Sequence, residues 1–418
     1  MSVQLLEEEG DVPINTHVYF SVASTELGAD EEVVPAADTV PCTEEPGTGV
    51  NTVVVEGAGD NEPQRWSAYS QAQWLFLKKK FIENFLPIGF AVALIVAMSY
   101  PSPGAAAAKI IFEGVLVIQA VNHVNVFFVS GITLNVNALK EIKEHWKAVV
   151  FGMAAILFLT PLLGFIFIAI PLEPREFAVG LAIFCCVPTT LGVGVALTTA
   201  SGGNASVSLF LTVTTNIIGI LTVPYILQYI ILQGSGATNV LSFNPVNVFV
   251  KLIFTVLVPS LLGFATNRCS SVARSFVAKR RTELSMWSTL NLVCIIWQTL
   301  SSAAPLLQKQ SAVNIIIVLV LSISLHGLLL AIIFLATTYA PPLPIKERIA
   351  VTIMAAQKSA PVAVTLISYI TTDASVQGLL AIPALIGQLC QIFIGSALIA
   401  KFRQLIKAAE GAEAGGKA

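Results

Sequence analysis

Phe184-Cys-Cys-Val-Pro-Thr-Thr-Leu-Gly-Val-Gly-Val195 lies inside a hydrophobic run from about Ala178 to Ala200. The run is long enough for a bilayer, whose hydrocarbon core takes roughly 20 helical residues. Its middle, however, holds Pro188, Thr189, Thr190, Gly192 and Gly194. Proline removes a backbone donor, and glycine is entropically costly in a helix. A helix broken at mid-membrane strands N–H and C=O groups where there is no water, which is tolerated only where protein or a polar cavity satisfies them. One such break is equally a proline kink packed by its neighbours.

A second break separates the two readings. The run from about Arg348 to Ile370 contains Met354-Ala-Ala-Gln-Lys-Ser-Ala-Pro-Val-Ala-Val364, with Lys358 in mid-span three residues before Pro361. Interrupted helices at matching positions of two halves point to a transporter's binding site.

The rest of the chain fits a polytopic helical membrane protein. Of 418 residues, 55% are hydrophobic and only 11% are charged, against about 25% charged in soluble domains. The net charge of −2 hides a segregation: 14 of the 25 acidic residues fall between Glu7 and Glu62, and Arg65 is the sole basic residue before Lys78. Residues 1–80 therefore read as an acidic tail too polar to fold alone. The tail has the features of neither a signal nor a transit peptide, which favours the plasma membrane or endomembranes over a plastid envelope. Trp74-Leu-Phe-Leu-Lys-Lys-Lys80 reads as an interfacial anchor.

Ten hydrophobic segments follow: Phe85–Tyr100, Lys109–Ile132, Ala148–Ile170, Ala178–Ala200, Ala205–Leu232, Val246–Thr266, Leu284–Leu300, Ala312–Tyr339, Arg348–Ile370 and Val376–Ala400. The polar gap from Gln233 to Pro245 divides them five and five, and the fourth of each half is the broken one. Five is odd, so the second unit enters from the opposite side, as an inverted repeat. This gives a first repeat at 81–233, a linker at 234–245, a second repeat at 246–401 and a C-terminal tail at 402–418. With the N-terminus in the cytoplasm, sixteen Lys and Arg flank the inner ends and four (Lys109, Arg175, Lys251, Lys309) the outer ends. The positive-inside rule then places both termini in the cytoplasm.

Among polar residues in the spans, Lys358 stands out. A charge at mid-bilayer costs at least about 2.5–3.5 kcal/mol and is functional by default. Ten residues separate it from Arg348, which opposes snorkelling to an interface. Thr189, Thr190, Gln357 and Ser359 flank the breaks and either rebond freed backbone or line a cavity. Asn216, Gln388 and Gln391 are candidates to face the same cavity. Gln119, Asn122 and His123 share one helix face and read as interhelical hydrogen-bonding groups. Adjacent Cys185 and Cys186 read as small buried thiols rather than ligands of a soft metal. No nucleotide-binding loop, zinc spacing or nucleophile–base set is present, so an enzyme, a bound metal and a nucleic-acid partner are not expected.

Several of these stretches together resemble the bile acid:sodium symporter (solute carrier family 10) superfamily, nearest its member-7-like branch, which includes fungal calcium regulators and plant chloroplast-type relatives. The stretches are Phe127–Leu134, Cys186-Val-Pro188, Ala200-Ser-Gly-Gly-Asn-Ala205, Gln357-Lys-Ser359, Ile382-Pro-Ala-Leu-Ile-Gly-Gln388 and Gly395-Ser396. The resemblance covers about Lys80 to Lys401. It implies a core of spans 3–5 and 8–10, in which broken helices 4 and 9 cross, beside a panel of spans 1, 2, 6 and 7. Where sodium-coupled members have a Ser-Asn pair, this chain has Val193 and Gly194. Where they have Glu-x-x-x-Gln, it has Met354 and Lys358, and a third-span glutamine falls on Ile156. Ser208 and Thr212 are kept. Sodium needs oxygen ligands, so sodium coupling is not expected to carry over.

What the resemblance implies is an alternating-access transporter of a small organic anion. Half-helix N-termini would face the anion, and the candidate contacts are Pro188, Thr189, Thr190, Gly192, Gly194, Ser208, Thr212, Asn216, Gln357, Lys358, Ser359 and Gln388. No cofactor is implied, and proton coupling stays open. Lys358 would replace the missing cation, bind the anion or carry a proton; in the first role Ser208 and Thr212 would be its partners. The other reading is a regulator of calcium uptake that works through channel or signalling partners recruited by the acidic tail.

Overall fold

The computed structural model describes residues 19–23, 50–54, 85–112, 115–134, 142–190, 192–234, 243–340 and 342–415, with a few positions between 74 and 82. The chain divides into two compact units, Met1–Glu83 and Asn84–Ala418.

In the first unit, strand β1 (Tyr19–Ala23) pairs antiparallel with β2 (Val50–Val54), Tyr19 opposite Val54. Both segments are short runs of β-branched and aromatic residues, which an average over eighty residues conceals. Apart from Trp74, Leu77 and Lys78, the rest of the tail lies outside the described residues.

The second unit is helical. Helices α1 (Phe85–Ser99) and α2 (Ser102–Ala108) meet at a bend of 102°, where Pro101 and Pro103 withhold N–H donors. A two-residue ladder, β3 (Ile111–Phe112) with β4 (Val115–Leu116), leads into α3 (Val117–Ile132). The second hydrophobic segment is thus helical only from Val117, not from Lys109. Next come α4 (Trp146–Ala154), a π turn (Ala155–Leu159) and α5 (Thr160–Ala169) as one continuous helix. The same pattern recurs as α9 (Pro245–Leu252), a π turn (Ile253–Leu257) and α10 (Val258–Cys269). In both, the wide turn runs up to a proline two residues beyond it, Pro161 or Pro259, which takes up the lost hydrogen bond and the ring clash without breaking the helix. The order between and beyond these is α6 (Arg175–Cys186), α7 (Val193–Ala200), α8 (Ala205–Gly234), then α11 (Ser271–Lys279), α12 (Arg281–Leu307), α13 (Ala312–Tyr339), α14 (Ile345–Ala356), α15 (Ala360–Ile370) and α16 (Ala374–Gly415).

Among the described residues, six helices are long and apolar enough to cross a membrane, and the bent pair α1–α2 is a seventh candidate. The interrupted pairs α6–α7 and α14–α15 do not reach that length singly. Large apolar side chains are exposed along outer faces, for example Val250, Phe254, Leu261 and Leu262 on α9–α10 and Ile316, Val320 and Ile323 on α13. Apolar faces of that extent are unusual in water and ordinary against lipid. This is an all-α polytopic membrane protein.

Small residues set the closest helix approaches, as they do where packing rather than hydrophobicity joins helices. A Cβ on Gly131 of α3 would lie 2.0 Å from the Ser260 carbonyl oxygen of α10, and one on Gly263 would lie 2.2 Å from that of Phe128. The two glycines thus bring α3 and α10 together reciprocally. The most deeply buried stretches are Phe177–Val187 and Ile349–Ala360, the arms of the two interruptions, surrounded by α5, α8, α13 and α16. At one end of this assembly, His145 accepts through Nε2 from the Asn204 amide at 3.1 Å and donates through Nδ1 to Glu347 at 2.7 Å. It thereby links the α7–α8 loop to the start of α14.

Candidate functional site at two interrupted helices

Helix α6 ends at Cys186, and Val187 turns extended with ψ 150°. Helix α14 ends at Ala356, and Gln357 does the same with ψ 93°. The two extended segments meet: Thr189 and Lys358 form an antiparallel bridge. The Thr190 N–H donates to the Gln357 carbonyl at 3.0 Å, and the Ser359 N–H donates to the Pro188 carbonyl at 3.1 Å. Each break thus supplies partners to groups that the other has freed.

Side-chain amides and hydroxyls take most of the remainder. Gln391 Oε1 accepts from the Lys358 N–H at 2.9 Å, and Gln388 Oε1 accepts from the Ala360 N–H at 3.0 Å. Gln357 Nε2 donates to the Gln391 carbonyl at 2.9 Å. The Asn216 amide donates to the carbonyls of Thr189 and Thr212. Ser359 caps α15 by accepting from the Val362 N–H, and Thr190 Oγ1 accepts from the Gly194 N–H at 2.8 Å.

The Lys358 side chain is wholly buried. Its ammonium donates to Thr160 Oγ1 at 2.5 Å, to the Val187 carbonyl at 2.9 Å and, more distantly, to the Ile156 carbonyl at 3.5 Å. The Thr160 hydroxyl donates to the Ile156 carbonyl at 2.9 Å, so its lone pairs face the ammonium. The cation therefore sits between the π turn of the α4–α5 helix and the end of α6. No carboxylate pairs with it in the ion pairs among the described residues.

Of the candidate contacts, Pro188, Thr189, Thr190, Gly194, Asn216, Gln357, Lys358, Ser359 and Gln388 are brought together at the crossing. Gly192 is also there but exposed, with open space where a Cβ would project. Ser208 and Thr212 do not partner the lysine. Ser208 donates to the Ala205 carbonyl and Thr212 to the Ser208 carbonyl, because a hydroxyl on an apolar helix finds the preceding turn first. Thr160 is the residue sequence reasoning left out of the site, and Gln391, read only as a candidate to face the cavity, bonds the crossing backbone itself. Gln391 carries a faint signal, three residues after Gln388 and so on the same face; Thr160 carries only its place before Pro161.

The positive ends of the two half-helices differ. The first turn of α15 is closed by Gln388, Pro361 and Ser359. In α7, Thr190 takes the Gly194 N–H, while the first-turn N–H groups of Val193 and Val195 have no partner among the described residues. Nearby lies a small cleft, with room for about one water molecule, lined by Pro188, Asn216, Gly219, Leu252, Val256 and Val362. Asn216 is its polar residue, and the Asn216 Oδ1 and Thr189 Oγ1 atoms have no hydrogen-bond partner among the described residues.

Two interrupted helices held together by their unwound backbones, inside a multi-span helical unit, define a protein of the secondary-transporter class. The comparison with known families agrees. Residues 84–404 match the SBF-like CPA transporter family, and the chain belongs to it. It is 31% identical to the "Probable sodium/metabolite cotransporter BASS4, chloroplastic" of Arabidopsis thaliana over 343 residues, covering 79% of this chain and 76% of that one. The protein of the same name from Oryza sativa subsp. indica is also 31% identical, covering 77% and 76%. Sodium/bile acid cotransporter 7 of Rattus norvegicus is 24% identical, covering 77% and 93%.

Proposed function

We propose that the chain is a secondary transporter of a small organic anion that works by alternating access without sodium. The observation that carries this is the backbone bridge between the two breaks. Such a joint gives two half-helix ends and a set of freed polar groups at one place in the membrane, which is what a solute site there requires. The first turn of α7 beside Gly192 would take the anion's charge, and the cleft at Asn216, which here has room for about one water molecule, would widen to take its apolar body. The ten hydrophobic segments would be two inverted repeats of five, with both termini on the cytoplasmic side.

Loss of sodium coupling is supported by what replaces the oxygen ligands. Met354, Val193 and Gly194 offer no side-chain oxygen, and the Lys358 ammonium already bonds the Val187 and Ile156 carbonyls. In this reading the lysine is a resident cation that holds α5, α6 and α14–α15 together. The relatives are named as cotransporters, and no feature of the site favours the calcium-regulator alternative. Those relatives named chloroplastic put the plastid envelope beside the plasma membrane and endomembranes as the compartment to test, by imaging the tagged full chain.

The functional test is flux in proteoliposomes holding the full chain, offered a mixture of small carboxylates in sodium or in choline. The expected result is uptake of one or more anions at equal rates in both media. Sodium-stimulated uptake would overturn the uncoupled mechanism, and uptake of none of the anions would overturn the substrate class.

A further inference from the structure

We propose that Gln119, His123 and Tyr369, with Lys251 beside them, form a second solute-contact site at the seam between α3 and α15, closed in this structure and taking a small carboxylate when the seam opens. The proposal rests on the transporter reading above but concerns a different part of the molecule. Tyr369 lies eleven residues beyond Lys358 on the arm that continues into α15, about 16 Å away at the rise of a helix.

His123 is 2% exposed, and neither of its ring nitrogens has a hydrogen-bond partner among the described residues. Its ring stands edge-on to Tyr369, with centroids 6.2 Å apart and planes at 63°. One turn earlier on α3, Gln119 is 1% exposed; its Nε2 reaches Thr299 on α12 at 3.4 Å, and its Oε1 has no partner among the described residues. A buried polar side chain between membrane helices is commonly there to bond its neighbour. That role would show a partner, and His123 has none among the described residues. An imidazole always carries at least one N–H and either a second N–H or a lone pair, and burying such groups unpaired is unfavourable. The closed seam is therefore strained towards a state in which water or a solute reaches these atoms.

The charges facing the seam identify the solute. The Lys251 Nζ on α9 lies 5.7 Å from the centre of the Tyr369 ring. Helices α3, α9 and α15 contain no acidic residue, and on α12 Glu283 is sixteen residues from Thr299. Asp373, just beyond α15, spends its carboxylate on the N–H groups of Ser375 and Val376. One ammonium, an imidazole and a phenol, with no competing carboxylate among the described residues, suit an oxyanion. The free Gln119 oxygen would accept from a hydroxyl on the same solute.

The test uses His123→Cys and, as a second variant in case that one fails to fold, Tyr369→Cys, each in the full chain in lipid nanodiscs. Both are exposed to a sulfonate-bearing and to a trimethylammonium-bearing methanethiosulfonate, and modification is followed peptide by peptide by mass spectrometry. Exposed Cys269 and buried Cys185 are the references within the molecule. The expected result is modification of the introduced thiol more slowly than Cys269 and clearly faster than Cys185. The preference for the anionic reagent should fall on the order of fivefold when Lys251→Gln is added, as for loss of one nearby charge. Introduced thiols as inert as Cys185 at both positions would overturn the opening seam, and a reagent preference unmoved by Lys251→Gln would overturn the anion. A chain that labels as expected yet carries no solute in proteoliposomes would refute the transporter reading on its own; one that transports but stays unlabelled would refute the seam site alone.

Discussion

Lys358→Met and Lys358→Ala separate the two things this side chain does, carrying a charge and filling space. In the wild type a charge is buried without a carboxylate, a cost of at least about 2.5–3.5 kcal/mol at mid-bilayer. Against it stand the bonds to Thr160 and Val187 at 2.5 and 2.9 Å, each worth about 1.5–3 kcal/mol when the donor is charged. The opposing sums are of similar size. Methionine keeps most of the length and volume, so Lys358→Met should change unfolding stability by less than about 2 kcal/mol, with one orphaned carbonyl at Val187 as its main penalty. Lys358→Ala removes the same charge and also empties the space of the distal chain in a fully buried position. Large-to-small changes of this kind cost about 2–5 kcal/mol. At roughly 2 °C per kcal/mol for a chain of this size, alanine should melt about 4–10 °C below wild type. The assay is thermal unfolding of purified protein in sodium chloride and in choline chloride. A sodium site filled to 100 times its dissociation constant would add about 2.7 kcal/mol, or near 5 °C. Wild type and Lys358→Met should show no such rise. A sodium-dependent rise in wild type, or an alanine variant that melts with wild type, would refute the resident-cation reasoning.

Three further perturbations follow from the same geometry. Gln391→Leu leaves the Lys358 N–H without its acceptor at the crossing and should lower unfolding stability by about 1–3 kcal/mol, whereas Gln310→Leu, at a part-buried turn, should change it little; equal melting of the two variants would count against the crossing network. Gly263→Leu pushes a side chain into the Phe128 carbonyl 2.2 Å away and should cost at least about 1–3 kcal/mol, while Gly327→Ala, which meets nothing within 4 Å, should be neutral or slightly stabilising; melting temperatures decide it, and the opposite order would mean that α3 and α10 are not in close contact. Single cysteines at Ala273 and Gly236 should react with impermeant reagent from opposite faces of sealed vesicles, and reaction from one face would overturn the inverted-repeat assignment.

Much of the site was legible in the sequence, and the limits of that legibility are physical. Pro188 and Pro361, with glycines, threonines and a lysine around them in apolar runs, announce interruptions because hydrocarbon tolerates so few alternatives for a broken backbone. The partners of the breaks are not announced. Thr160 is an ordinary threonine before a proline, and Gln391 is one of several polar residues in a long span; what selects them is closeness in the fold across separations along the chain of 198 residues for Thr160 and 33 for Gln391. Ser208 and Thr212 were suggested by resemblance, yet a hydroxyl on a helix has its own carbonyl ladder within reach, and they use it. The stretch from Lys109 to Leu116 is apolar enough to extend a span but forms a helix end and a small hairpin, since a short apolar run has no period that separates the two. The meeting of the two breaks, which the resemblance implies, also makes sense in a count of backbone groups. Between Val187 and Gly192 the chain gives up its helical bonds, and between Gln357 and Ser359 it does the same. In water either would be hydrated; in the bilayer each needs donors and acceptors at strand spacing, and the other break is the element of this unit that offers both. Each interruption is thus the condition under which the other is stable, so a substitution that closes one into continuous helix should destabilise the other.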